Sequence, residues 1–259
     1  MQPFERLRSL ARWQGGDASE LVSEAADCLA GFADDPAGLV VACRRLLVHH
    51  PAVGTLWWLC GRVLTAPDAA SAAWDAWQRV HDDPTPGRLA ERLPFPHDDP
   101  VAVLGWPDAC AAALSSRPDL DAVAIRTGDR WLHTRLRRAD ATIRVIDEVE
   151  AIALEPSHLL VEASAASASG DAVVAAGTAD LLADLPGAEA WLVVGVGHAL
   201  PDRLFASLRR QLDESDDDAV EVIEANRFSR LAGPTGVDDP SALPRLVDCP
   251  IAPELLRLG

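Results

Sequence analysis

The sequence contains no lysine and no tyrosine, only one methionine, and no pair of cysteines at a Cys-x-x-Cys spacing. Without lysine there is neither a Schiff-base amine nor a P-loop lysine, which removes two large groups of enzymes. Cys28, Cys43, Cys60, Cys110 and Cys249 are odd in number and scattered, so neither a disulfide framework nor a structural zinc site is suggested. Buried thiols in a reducing cytoplasm are the expectation. Positive charge is scarce as well: 23 basic residues, all arginine, stand against 40 acidic ones, for a formal charge of -17. Such a surface repels a phosphate backbone and anionic lipid, so neither nucleic acid nor membrane is an expected partner. The longest apolar run, 190–196, is far short of a membrane span, and Glu5, Arg6, Arg8 and Arg12 interrupt any secretory core, so no signal peptide is expected.

What is present is ample apolar material, 49% of 259 residues, enough for a continuous core. Apolar residues at Leu21, Val22, Ala25, Ala26 and Leu29 recur at three-four spacing and predict a helix over about 20–32, which Asp17 or Ser19 can cap. Further helices are expected over 36–49, 53–64 and 69–80, the first two closed by Pro51 and Pro67. Between Asp82 and Asp99 repeated Asp-Asp-Pro and Pro-Phe-Pro segments break the period, with some helix around 88–93, and this stretch reads as a domain connection. Short apolar runs then alternate with helical stretches: 101–105, 121–126, 142–146, 158–163, 190–195 and 219–224. That alternation predicts an α/β fold, a helical domain over 1–94 followed by a Rossmann-like parallel α/β domain over 95–259. Ligands in such sheets bind at the carboxyl ends of the strands.

The strand end after Val161 is the richest. It reads Glu162-Ala163-Ser164, then Gly170-Asp171-Ala172-Val173-Val174-Ala175-Ala176-Gly177-Thr178. This segment resembles the family of initiation factor 2B regulatory subunits, methylthioribose-1-phosphate isomerases and ribose-1,5-bisphosphate isomerases, where the same stretch runs Gly-Ala-Asp, a glycine turn, then Asn-Lys-Ile-Gly-Thr. Val101-Ala-Val-Leu-Gly-Trp106 resembles the family's first Rossmann strand and glycine turn. Val247-Asp-Cys-Pro-Ile-Ala-Pro-Glu-Leu-Leu256 resembles its closing Phe-Asp-x-Thr-Pro-Pro-Glu-Leu-Ile. Cys43-Arg-Arg-Leu-Leu-Val-His-His-Pro51 fits the helical part.

The resemblance implies a homodimer formed through the α/β domain and a pocket for a small phosphorylated metabolite. It also implies a proton-moving cysteine after the first strand and an aspartate closing the triplet. Here those places hold Gly105 or Trp106, and Ser164, none of which titrates usefully near neutral pH. The Asn-Lys pair falls on Val174 and Ala175, and Cys110 reads as a structural thiol. The remaining pocket is Gly105, Trp106, Asp108, Arg126, Ser164, Asp171, Gly177 and Thr178, with Arg126 or Arg130 able to hold a phosphate bidentately. Gly177 and Thr178 can present backbone donors to an anion, or simply form a turn and a cap.

The leading expectation is a catalytically diverged, homodimeric binding or regulatory protein of this kind, a pseudoenzyme without a cofactor. The alternative is an isomerase or related enzyme with a rearranged acid–base set, Asp108, Asp171 or Asp248. Gly195-Val196-Gly197 lacks the third glycine of a dinucleotide fingerprint. The histidines, His198 among them, have no ligand spacing, so no metal is expected. The acidic run 213–218 reads as a solvated loop. Of Trp57, Trp58, Trp74 and Trp77, at least two are expected in the core and the others on a patch for a partner.

Overall fold

A computed structural model describes residues 3–13, 18–93, 99–128, 131–215 and 218–258. Among these, the front of the chain is helical: α1 (Pro3–Leu10), α2 (Ala18–Ala30), α3 (Pro36–His49), α4 (Gly54–Thr65), α5 (Ala69–His81) and α6 (Thr85–Arg92). Leu56, Trp57, Trp58, Leu59 and Cys60 on α4 are fully buried. A helix apolar on all sides must be wrapped, so α4 is the axis around which its neighbours pack. Asp35 caps α3 by accepting the Gly38 amide at 2.9 Å, with Pro36 in the first turn, and Asp68 caps α5 on the Ser71 amide at 3.1 Å. Helix α6 lies inside the stretch read as a connection, and its Leu89 is fully buried in one cluster with Cys110 and Leu114. The expected cap Asp17 and the expected boundary between 94 and 95 lie outside the described residues.

The rest of the chain alternates. In order come β1 (Val101–Leu104), α7 (Asp108–Ser115), β2 (Ala122–Ile125), α8 (Leu132–Arg138), β3 (Arg144–Ile146), α9 (Glu148–Leu154), β4 (His158–Glu162), β5 (Ala165–Ser167) and β6 (Asp171–Ala175). They are followed by α10 (Thr178–Asp184), β7 (Glu189–Val193), β8 (Ala199–Leu200), α11 (Asp202–Ser215), β9 (Val220–Glu224), β10 (Arg230–Gly233) and β11 (Gly236–Asp238). The main sheet has the order β11-β10-β7-β4-β1-β2-β3, and every neighbouring pair is parallel except β10 with β11. Strand alternation serves both faces: Val101 and Val103 join a cluster with Leu89, Cys110 and Leu132, while Ala102 and Leu104 join one with Leu181 and Ile223.

One expected strand belongs elsewhere. The run 219–224 is β9, which pairs antiparallel with β6 in a second sheet of order β8-β5-β6-β9. Its Val-Glu-Val-Ile-Glu pattern leaves it mostly half-buried, the signature of a strand with one covered face, unlike the continuous apolar runs of the parallel strands. The place beside β7 goes instead to β10, a short Arg-Leu-Ala-Gly segment.

The second sheet joins the two parts of the chain. Ala165, Val173 and Leu200 share a core with Leu46, Leu56 and Trp58 from the helices and with Leu204, Leu208 and Leu255. Helix α4 enters this junction at Gly54, whose amide donates to the Ser164 carbonyl at 2.9 Å. A β-carbon at Gly54 would stand 2.6 Å from that oxygen and 2.8 Å from the Ala165 side chain. Gly54→Ala is therefore expected to cost about 1–3 kcal/mol, as overpacking against backbone does, measured by urea unfolding.

Candidate functional site

In the main sheet the chain runs outward in one direction through β2 and β3 and in the other through β4 and β7, so the topology reverses between β1 and β4. A crevice is expected at the carboxyl ends of these strands. There, β4 ends in Glu162 and β1 leads through Gly105 into α7. The Glu162 carboxylate accepts the first amides of α7, from Ala109 at 2.9 Å and Cys110 at 3.0 Å.

Burial, with the Asp108 charge beside it, pushes the Glu162 carboxyl up to about 8, although the two amides and the Cys110 thiol pull the other way. The Cys110 thiol is itself raised, first by its burial and then by Glu162, so it stays a protonated donor. Glu162 nevertheless keeps part of its surface open, because it lines a narrow cleft of about 100 Å³ between the strand ends and the helices.

Three further groups from separate elements meet there. Asp83 follows α5; its Oδ1 accepts the Thr85 amide and hydroxyl at 2.8 and 2.6 Å, and its Oδ2 accepts the Val196 amide at 2.9 Å. His198 follows β7; its Nδ1 donates to the Ala163 carbonyl at 2.6 Å. A carbonyl only accepts, so Nδ1 carries the proton of this bond. Thr55 on α4 is 2% exposed, lines the cleft, and has no partner for its hydroxyl among the described residues.

The residues expected to form the pocket divide. Asp108 lines the cleft, where its Oδ2 accepts the Ser19 amide at 3.1 Å. Gly105, at φ +70, makes the turn that leads to it. Trp106 is 5% exposed and packs in the core below, and Cys110 is buried beside Glu162. Ser164 is turned to backbone: its carbonyl holds the Gly54 amide and its hydroxyl donates to the Val173 carbonyl at 3.3 Å. Arg126 is exposed beyond β2 and does not line the cleft, and Arg130 lies outside the described residues.

Asp171 lines a separate groove of about 420 Å³ with Glu224 and Asp239, and its carboxylate lies 3.9 Å from Arg209. Gly177, at φ +90, starts α10. Thr178 there is fully buried, its hydroxyl donating to the Ala175 carbonyl at 2.6 Å, so it forms a turn and is closed to a ligand. Asp248 accepts the Trp58 indole N–H at 2.8 Å and pairs with Arg79 and Arg62. Asp108, Asp171 and Asp248 therefore do not share a cleft, and the acid–base set expected of them is not assembled.

Sequence reasoning passed over Glu162, Asp83, Thr55 and His198. Only Glu162 carried a signal: a carboxylate that directly follows the apolar run Leu159-Leu160-Val161 ends a buried strand and must find donors there. Among the described residues no arginine lines the cleft to receive the phosphate expected of a metabolite. None of the described His, Cys, Asp and Glu side chains form a group of three or more able to hold a metal ion, and no described helix is long and apolar enough to cross a membrane.

No protein-family model and no curated protein sequence matches the chain. Solved structures do. The translation initiation factor eIF-2B of Pyrococcus horikoshii OT3 superposes over 92% of this chain and 97% of that one, with a TM-score of 0.74 at 13% identity. The 5-methylthioribose 1-phosphate isomerase of the same organism covers 95% and 86%, with a TM-score of 0.66 at 13% identity. A chain of the tetrameric eIF2B-beta2-delta2 complex of Chaetomium thermophilum covers 94% and 92%, with a TM-score of 0.66 at 14% identity. The chain thus has, over nearly its whole length, the α/β fold shared by eIF2B subunits and 5-methylthioribose 1-phosphate isomerase.

Proposed function

We propose that this chain is a self-associating cytoplasmic binding protein on the isomerase fold, and that it does not isomerise sugar phosphates. The observation that carries the reading is the content of the cleft: Asp83, Asp108 and Glu162 line it, with no arginine among the described lining residues. A phosphorylated sugar would meet the Asp83 and Asp108 carboxylates and no arginine, and 100 Å³ is well below the roughly 300 Å³ at which small-molecule pockets begin. Gly105 and Ser164 at the positions of the resembled family's cysteine and aspartate support the same conclusion. Self-association is supported by the oligomeric complex in which a structural neighbour was solved and by two exposed apolar residues one helical turn apart on α9, Val149 and Ile152. Five buried cysteines, none in a disulfide, fit a reducing compartment.

A second reading draws on Glu162 alone, since a carboxyl group still protonated near pH 7 in a cleft opposite His198 is suited to general acid chemistry. One experiment separates the two. Incubation with 5-methylthioribose 1-phosphate or ribose 1,5-bisphosphate, followed by phosphorus NMR, is expected to show no ketose. Steady ketose formation that Glu162→Gln abolishes would establish the enzyme instead. Sedimentation at micromolar concentration is expected to give a dimer, and a monomer would remove self-association.

A further inference from the structure

The cleft between Glu162 and Thr55 is charged in one sign and incompletely satisfied, and the two properties together define a ligand class. Asp83 is fully engaged, holding two amides and a hydroxyl with its two oxygens. Asp108 is not. Among the described residues it uses only Oδ2, on the Ser19 amide, whereas Glu162 accepts two α7 amides and the Cys110 thiol. The cleft adds one group that lacks a partner among the described residues: the Thr55 hydroxyl, buried and unbonded. A buried hydroxyl left unbonded is costly, and the wall of a cleft is where a ligand can satisfy it.

We infer that the cleft binds a small organic cation, a primary ammonium compound, whose N–H donors reach the Asp108 carboxylate and the oxygen of Thr55 beside the carboxyl group of Glu162. The inference rests on the reading of this cleft as a binding site and gives that site its ligand. An ammonium group brings three donors and no acceptor, which matches a wall made mostly of acceptors. Its charge answers the Asp108 carboxylate, which has no arginine partner among the described lining residues. Its size suits a space that holds about three water molecules. A bare metal ion is a poorer match, because no cluster of three ligating side chains is formed among the described residues.

The test uses the full chain labelled with nitrogen-15 and titrated at pH 7 with ethanolamine, which is cationic there, and in parallel with inorganic phosphate. Ethanolamine is expected to shift the amides of Ala109, Cys110 and Val196, the donors to Glu162 and Asp83, and phosphate to leave them unmoved. Asp108→Asn is expected to weaken binding about tenfold. Thr55→Val is expected to weaken it about fivefold while leaving thermal stability equal or higher, since the hydroxyl it removes has no partner in the free protein. A purely structural Thr55 would instead lose stability and keep affinity. Silence of the three amides toward ethanolamine, equal affinity in the Asp108→Asn chain, or shifts caused by phosphate alone would each overturn the assignment. If sugar-phosphate turnover is also absent, only the ligand class has failed; turnover would fail the binding reading beneath it.

Discussion

Glu162→Gln is expected to make the protein more stable than the parent at pH 9 and to flatten its stability between pH 5 and 8. Glu162 keeps its proton to about 8 in the folded chain, first because burial excludes water from the carboxylate and then because Asp108 stands beside it. In the unfolded chain the same group ionises near its ordinary value of 4.5. Between those two values the unfolded state has released a proton that the folded state still holds, so stability falls as pH rises through the window. It levels off above about 8, where both states are ionised and the fold carries a buried carboxylate beside Asp108. The gap corresponds to a loss on the order of 5 kcal/mol, a large part of the stability of an ordinary domain. Glutamine keeps an oxygen for the Ala109 and Cys110 amides and cannot ionise. Urea unfolding of both chains at pH 5, 7 and 9 measures the difference, and parallel pH profiles would show that Glu162 is solvated and ordinary.

Trp58→Ala is expected to cost about 3–5 kcal/mol, the usual range for truncating a buried large aromatic. Trp58 is fully buried, its indole N–H donates to Asp248 at 2.8 Å, and the guanidinium groups of Arg62 and Arg79 lie 4.9 and 5.3 Å from its ring centre. It is also a support for the cleft. Gly197, at φ +81, brings backbone so near the ring that a β-carbon there would stand 3.1 Å from it, and His198 is the next residue. Removing the indole leaves a cavity under the loop that positions His198 and frees Asp248 from one of its donors. Trp58→Phe keeps most of the packing and gives up the hydrogen bond, so about 1–2 kcal/mol is expected. Chemical denaturation measures both losses, and broadening of the His198 and Val196 amides in the alanine variant reports the loosened loop.

Much of this architecture is legible in residue order because it is periodic. Leu21, Val22, Ala25 and Leu29 mark a stripe, and α2 buries those side chains. The runs around Val103, Val123, Leu160 and Leu192 are apolar without alternation, as strands covered on both faces must be. The second sheet is not legible in the same way, since β5 and β8 are short and small-residue-rich, and β9 alternates like many exposed strands. Trp57 and Trp58 meet the expectation of a core pair, whereas Trp74 is 59% exposed and stacks on Trp77, their ring centres 4.6 Å apart.

The cleft is not legible in residue order. Its groups come from α4, from the segment after α5, from α7, from β4 and from the loop after β7, five places with no shared spacing. Asp83 sits in a stretch that reads as a connection, and His198 fails a metal-spacing test that has no bearing on a histidine held by a carbonyl. The family resemblance points to Ser164, whose hydroxyl and carbonyl both serve backbone. Two residues earlier, Glu162 turns toward α7 and the cleft.

The site as described is organised around that one buried carboxyl group, and its titration can be read directly. Carbon-13 NMR of the Glu162 side-chain carboxyl, assigned by its loss in Glu162→Gln, is expected to show a midpoint near pH 8. A midpoint between 4 and 5, the range of a solvated glutamate, would contradict it.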